Sequence, residues 1–237
     1  MTDTVLVEDR GAVRIVTINR PERRNAVDRA TGDKLYEVFK EFDEDEDVSV
    51  AILTGSNNAF CAGFDLKSIA EGGTVGRVED GGENDLGPMG LALWCDLRVM
   101  AEDAIFGIYC RRFGVPLVDG GTFRLPRLIG QSRAMDLILS GRPVDAAEAE
   151  RIGLANRVVP AGGTLDTSIA LAEELSRFPQ TCMRNDRLSL LQQWGMSHDE
   201  ALRNETRIGL ETINSGETFD GASRFAGGVG RHGKFGD

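Results

Sequence analysis

The most restrictive stretch of this sequence is the passage from residue 49 to residue 66. Ser49-Val50-Ala51-Ile52-Leu53-Thr54-Gly55 is a short, nearly all-apolar run that stops at glycine. Such a run fits a strand buried on both faces, the kind found where helices cover a sheet. A polar turn, Ser56-Asn57-Asn58, leads into Ala59-Phe60-Cys61-Ala62-Gly63-Phe64-Asp65-Leu66. Gly63 lets the backbone come close to a ligand and take conformations closed to other residues. Asp65 is placed to cap a helix starting at Leu66, which leaves backbone N–H groups near Phe64 without helical partners. Such donors can stabilise an oxyanion, although an ordinary strand-to-helix turn has the same spacing.

Around this passage lie strands mixed with helices, and later helices alone. Val5-Leu6-Val7 and the alternating Val13 to Ile18 form a hairpin about Asp9-Arg10-Gly11. Residues 19–25 form a loop, since Pro21 disfavours helix for the residue before it. Asp28 caps a helix whose Leu35, Val38, Phe39 and Phe42 make an apolar stripe, and the acidic run 41–47 is its solvated end. From 70 to 90, glycine and acidic residues dominate, which fits a functional lid or a disordered loop. Residues 104–108 and 154–159 read as strands. Ser132 caps a helix to Leu139; Asp145 with Glu148, and Ser197 with Glu200, form capping-box pairs. Helices over 165–178, 181–194 and 197–213 follow.

Charge and cysteines exclude several functions. The formal net charge is −11, whereas a duplex-binding protein needs a basic face, so no nucleic-acid partner is expected. No apolar run approaches the ~18 residues of a membrane span, and Met1-Thr2-Asp3-Thr4 has no secretory character, so the chain is expected in the cytoplasm, away from membranes. Cys61, Cys95, Cys110 and Cys182 form no CxxC pair, and His198 and His232 are the only histidines. Free thiols are expected, with neither a metal site nor a disulfide framework.

Several motifs, in order, carry a resemblance. Pro21-Glu22-Arg23-Arg24-Asn25-Ala26 resembles the PxxxNA loop of the crotonase (enoyl-CoA hydratase/isomerase) superfamily. Ala51 to Gly55 and Phe60 to Leu66 are similar to its next two signatures. Cys95-Asp96-Leu97-Arg98, Ala104-Ile105-Phe106, Gly114 through Thr122, Leu125 to Gly130, Ala147-Glu148-Ala149, Gly153-Leu154 and Val158-Val159-Pro160 continue the pattern over nearly the whole chain. The resemblance implies an α/β fold, a crotonase-like spiral of strand–strand–helix (ββα) units over 1–160. It also implies a C-terminal helical trimerisation region over 161–237, within a homotrimer or hexamer. It further implies an enzyme acting on an acyl-CoA thioester, with CoA arriving as part of the substrate and no prosthetic group. In the family's pattern the Phe64 N–H is one oxyanion donor, and the residues at Arg24, Ala26, Ala62, Gly63, Asp65 and Leu66 line the CoA channel. Arg24 then suits a CoA phosphate, or is a solvated loop arginine.

The sequence also departs from that pattern. The family's second donor sits in a glycine turn after a buried strand, and neither has a counterpart between Gly90 and Leu91. Losing such a strand should cost more than a domain's whole ~5–15 kcal/mol, which favours a sequence interrupted there over a true deletion. The two hydratase glutamates would fall at Gly90 and Cys110. Asp119 remains, either as a single proton-moving acid or as the cap of a helix over 120–128. Isomerase-like or other single-acid chemistry therefore fits better than hydration, with a non-catalytic CoA-binding protein as the alternative. Phe225, Arg231 and Lys234 could touch the ligand, or lie in an exposed tail.

Overall fold

The structure, a computed structural model, describes residues 3–73, 88–118 and 120–230. The chain divides into two compact units, Met1–Glu173 and Glu174–Asp237.

The first unit opens with antiparallel β1 (Val5–Arg10) and β2 (Val13–Ile18), which run from Val5 opposite Ile18 to Arg10 opposite Val13. Asp9 and Arg10 are thus still paired, and the turn is Gly11-Ala12 rather than Asp9-Arg10-Gly11. A two-residue connection matches the twist of the strands it joins. Helix α1 (Arg29–Glu44) is capped by Asp28, which accepts from the Thr31 N–H at 2.9 Å. The chain then returns as β3 (Val50–Gly55), parallel to β2.

Strand β2 lies between β1 and β3. Because alternate side chains take opposite faces, it fills two cores. Val16 and Ile18 pack with Val27, Leu35, Val38 and Leu91, while Val13 and Ile15 pack with Ile52 and Ala172. Strand β3 also packs on both faces, with Ile52 and Val50 in the second core and Leu53 against the first, but Ile52 alone is fully buried in it, so β2 is the more deeply buried strand. Among the described residues β3 pairs only with β2, and an edge strand is covered less completely. The acidic run after α1 is also not wholly solvated. Buried Arg14 binds Asp45 at 2.8 Å and Asp9 at 2.8 Å.

Next come α2 (Leu66–Ala70), α3 (Pro88–Trp94), β4 (Val99–Ala101), β5 (Ile105–Gly107), α4 (Gly121–Ile129), α5 (Gln131–Ser140), β6 (Pro143–Asp145), α6 (Ala146–Arg151) and β7 (Arg157–Val159). Strand β4 pairs in parallel with β7, and β5 in antiparallel with β6. Leu93, Met100, Ile108, Leu125, Ile129, Leu137 and Val144 form the core beneath them. Helix α3 runs unbroken through Gly90 and Leu91, between which the family's strand and glycine turn would fall. Ser132 lies inside α5 rather than capping it. Gly130 ends α4 and caps α5 at once, which leaves no linker for a side-chain cap. Asp145 caps α6 through the Glu148 N–H, but the Glu148 carboxylate turns to Arg142 at 2.6 Å, so that box is half formed. Helix α7 (Thr164–Ser176) opens the C-terminal helices, with Leu165, Ile169 and Ala172 seated on Val13, Ile15 and Ile52.

The second unit contains α8 (Gln180–Gln192), α9 (His198–Asn214) and α10 (Glu217–Ala226). Both halves of the Ser197–Glu200 box are present. The start of α8 is capped from a distance, by the Glu217 carboxylate accepting from Thr181 N–H at 2.9 Å and Cys182 N–H at 2.8 Å. The Thr181 bond, with the Cys182 bond behind it, holds the Glu217 carboxyl below its ordinary pKa against a smaller effect of burial. Among the described residues, no helix is long and apolar enough to cross a membrane.

A carboxyl whose pKa is lowered on folding stabilises the fold above its unfolded value, ~4.3, and stops doing so as pH falls through the folded value. Glu217→Gln should therefore lower the thermal midpoint at neutral pH, and the gap from wild type should close on acidification. Circular dichroism melts across a pH series measure this; equal midpoints at pH 7 would contradict the capping role.

Candidate functional site

The site is built where β2 runs out towards α1. Val16, Ile18 and Arg20 continue one period-two row, so Arg20 starts from the buried face. A buried guanidinium needs acceptors, and Arg20 has them. It pairs with Asp28 at 2.9 Å and Asp65 at 2.9 Å, and donates to the Ala26 carbonyl. The chain turns through a 3-10 segment, Pro21–Arg23, and then Arg24 and Asn25 take positive φ of 51° and 56°. Asparagine tolerates that region. The buried Asn25 side chain accepts from Arg20 N–H at 2.9 Å and donates to the carbonyls of Ser56 at 2.9 Å and Ala59 at 2.6 Å. It thereby ties this loop to the turn after β3. Gly55 must be glycine there, since a Cβ would stand 2.0 Å from the Ala59 carbonyl oxygen and 2.2 Å from that of Phe60.

Asp65 works twice. One carboxylate oxygen binds Arg20; the other accepts from Lys67 N–H at 3.2 Å and Ser68 N–H at 3.1 Å, capping α2 as the sequence predicts. Burial pushes its pKa up, but the Ser68 bond and the Arg20 hydrogen bond and charge outweigh that and hold it below the usual value.

These ties place Phe64. Val27 N–H donates to Gly63 O at 2.9 Å, and Asp65 N–H donates to Val27 O at 3.0 Å. This parallel bridge uses the groups on either side of Phe64, so the Phe64 N–H faces away from Val27. Among the described residues it meets no acceptor. Gly63, at φ +101°, provides the bend. An outward amide held on both sides is what an oxyanion donor requires.

The other expected site residues fall into two groups. Arg24, exposed and paired with no acid among the described residues, lies beside exposed Ala62, whose N–H donates to Arg24 O at 3.0 Å. Gly63 and half-buried Leu66 continue that surface. Ala26 and Asp65 are instead buried framework, at 7 % and 5 % exposure, beneath it. Asp119 lies outside the described residues, as do Arg231 and Lys234. The cap of α4 is Gly120, so the helix starts at 121 rather than 120. Phe225 is exposed on α10 in the second unit. Cys110 packs against the core beneath β4 and β5. Burial raises the Cys61 and Cys95 thiols to about 11, so both stay protonated at neutral pH and are poor nucleophiles. Among the described residues, no group of three His, Cys, Asp or Glu side chains is placed to hold a metal.

Helix α3 joins the two halves of this region. Its Leu91 packs in the core with Val27, Phe60 and Cys61, while Leu93 packs with Ile108 and Leu125 of α4. A cleft of about 470 Å³ in the second unit, lined by Met196, Glu200, Arg203 and Arg207 among others, contains none of these residues.

Comparison with known proteins then decides the family. The enoyl-CoA hydratase/isomerase family model matches residues 8–86 and 81–227. The chain belongs to the enoyl-CoA hydratase/isomerase family. The two matched blocks meet just before α3, close to where the family's strand and glycine turn have no counterpart. The chain is 34% identical over 243 residues to "Probable enoyl-CoA hydratase echA8" of Mycobacterium bovis, covering 94% of this chain and 95% of that one. The crystal structure of enoyl-CoA hydratase EchA1 from Mycobacterium marinum superposes with a TM-score of 0.86 at 33% identity, covering 94% of this chain and 95% of that one. An enoyl-CoA hydratase structure from Mycobacterium tuberculosis H37Rv also gives 0.86, at 34% identity over 94% and 95%. The fold is thus the α/β crotonase fold, as the motifs imply.

Arg20→Ala would leave the buried Asp65 carboxylate without its cation. Removing one partner of a buried pair costs about 3–5 kcal/mol, and urea unfolding of the variant should show a loss of that order. An unchanged midpoint would mean the pair does not hold the loop.

Proposed function

We propose that this enzyme moves a proton within an acyl-CoA thioester, isomerase-like, rather than adding water across a double bond. The outward Phe64 N–H carries this reading. A base removes a proton from carbon next to or conjugated with the thioester, the electron pair passes to the carbonyl oxygen, and the Phe64 N–H stabilises the enolate so formed. Returning the proton to a different carbon completes an isomerisation with no water consumed, and one carboxyl, Asp119, suffices for both steps. Hydration needs a second acid–base group to handle water, and the positions for the family's pair hold Gly90 and Cys110. The relatives' names speak for acyl-CoA substrates, although they name hydratases. Arg24 is available to a CoA phosphate, with Ala62, Gly63 and Leu66 beside it; Ala26 and Asp65 serve from beneath. CoA enters with the substrate, no prosthetic group takes part, and the reaction is placed in the cytoplasm.

The second unit supports assembly as a homotrimer or hexamer. In its described part only Ile208 and Thr212 are fully buried, while Leu190, Phe219 and Phe225 stand 66%, 77% and 64% exposed. So much exposed apolar surface on helices with so small a core calls for a partner surface. Light scattering should give three or six times the 25.7 kDa of one chain, and a monomer would overturn the assembly.

The reaction is tested by assaying crotonyl-CoA hydration and 3-enoyl-CoA isomerisation with wild type and Asp119→Ala. Isomerisation should dominate and fall by on the order of a hundredfold or more in the variant, the scale of acid–base catalysis. An unchanged isomerisation rate in the variant removes Asp119 from the mechanism, and dominant hydration by wild type removes the isomerase reading.

A further inference from the structure

We infer that Arg20 and Asp28 are positioning residues which, with Asp65, clamp the backbone so that the Phe64 N–H is aimed at the thioester oxygen, an inference that rests on that N–H being the oxyanion donor. Asp28 and Asp65 are used in the same way. Each gives one carboxylate oxygen to a helix. Asp28 Oδ1 accepts from the Thr31 N–H at 2.9 Å in α1, and Asp65 Oδ1 accepts from the Lys67 and Ser68 N–H groups at 3.2 and 3.1 Å in α2. Each turns its other oxygen to the same nitrogen, Arg20 Nη2, at 2.9 Å. Arg20 Nη1 donates to the Ala26 carbonyl.

These contacts close a ring around Phe64. The Ala26 carbonyl and the Val27 N–H belong to one peptide group. Arg20 holds its oxygen, and its N–H donates to Gly63 O at 2.9 Å. Val27 O accepts from the Asp65 N–H at 3.0 Å, and the Asp65 side chain returns to Arg20. The guanidinium thus grips both strands of the Val27–Phe64 bridge, with Asp28 holding it from the α1 side. Capping does not require this, because Asn or Ser would cap either helix as well. Nor does stability, because burying an ion pair returns little net free energy. An oxyanion donor does require it, since its direction must be fixed before charge develops on the substrate. Arg14, bound to Asp9 and Asp45 at the other end of β2, is a buried arginine of the same kind with no contact to this bridge.

The probe is acetoacetyl-CoA, whose enolate absorbs in the near ultraviolet. It is added to wild type, Arg20→Lys, Asp28→Asn and Arg14→Lys, and kcat and KM for isomerisation of 3-hexenoyl-CoA are read with thermal midpoints. Wild type should raise the enolate band. Arg20→Lys keeps the charge and loses the planar fork; Asp28→Asn keeps the cap of α1 and loses the anion. Both should lose most of the band and lower kcat by about ten- to a hundredfold, with KM within about twofold. Arg14→Lys should lower the thermal midpoint and leave the band and kcat at wild-type values. Asp28→Asn carries the comparison if Arg20→Lys does not fold. A wild-type band and kcat in Asp28→Asn overturn the clamp alone, as does an equal fall in Arg14→Lys or a change confined to KM. A wild type that raises no enolate band overturns Phe64 as the donor, and the clamp with it.

Discussion

The geometry of the site depends on one buried cation. Arg20 joins Asp28 before α1, the Ala26 carbonyl and Asp65 at the start of α2. Two separate stretches of backbone, residues 26–28 and the loop at Asp65, therefore converge on one guanidinium. Arginine suits this because its planar fork presents donors in several directions at once, which a lysine ammonium does not reproduce. The arrangement need not add net stability, since burying charges costs much of what their attraction returns. It makes alternative arrangements expensive. If the 60–66 loop shifted, Asp65 would stay buried without its partner. The Phe64 N–H inherits its direction from that constraint, through the bridge to Val27 that spans Gly63 to Asp65.

What the sequence revealed of all this was the local part. The hairpin, the Asp28 and Asp65 caps and the Ser197–Glu200 box are contacts within a few residues, and spacing alone finds them. Arg20 and Asn25 were not legible as structural locks. Their partners lie 45 and 31–34 residues away in the chain, and no local periodicity reports such distances. One signal was available: the row Val16, Ile18, Arg20 puts a cation on a buried face. Strand β3 packs on both faces as its apolar run suggests, but less deeply than β2. An apolar run shows that a strand can be buried, but its place in the sheet decides how deeply, and the central place belongs to β2. Where Ser132 was read as a cap, Gly130 serves two helices with no linker between them.

The chemistry is set against an acidic background of net charge −11. A CoA thioester is an anion, so the balance near the site matters more than the total. Asp28 and Asp65 are committed to Arg20, and Arg24, exposed on the loop surface, forms no ion pair among the described residues. Cys61 lies two residues from Gly63, in the loop that carries Phe64, yet burial keeps it protonated, and the Gly63 N–H points at its sulfur at 3.4 Å. It shapes the loop and does not compete as a nucleophile.

Helix α3 shows how a short element can set a distance between two others. Residues two apart on an α-helix are separated by about 200° around its axis, so Leu91 and Leu93 point to nearly opposite sides. Leu91 enters the core under β2 and the Phe60–Cys61 loop, and Leu93 enters the core under α4. Two independently packed cores thereby share one rigid spacer. Packed cores change arrangement in steps and resist small displacements. The spacing between the oxyanion loop and the start of α4 is accordingly fixed by side-chain packing on both sides of a seven-residue helix.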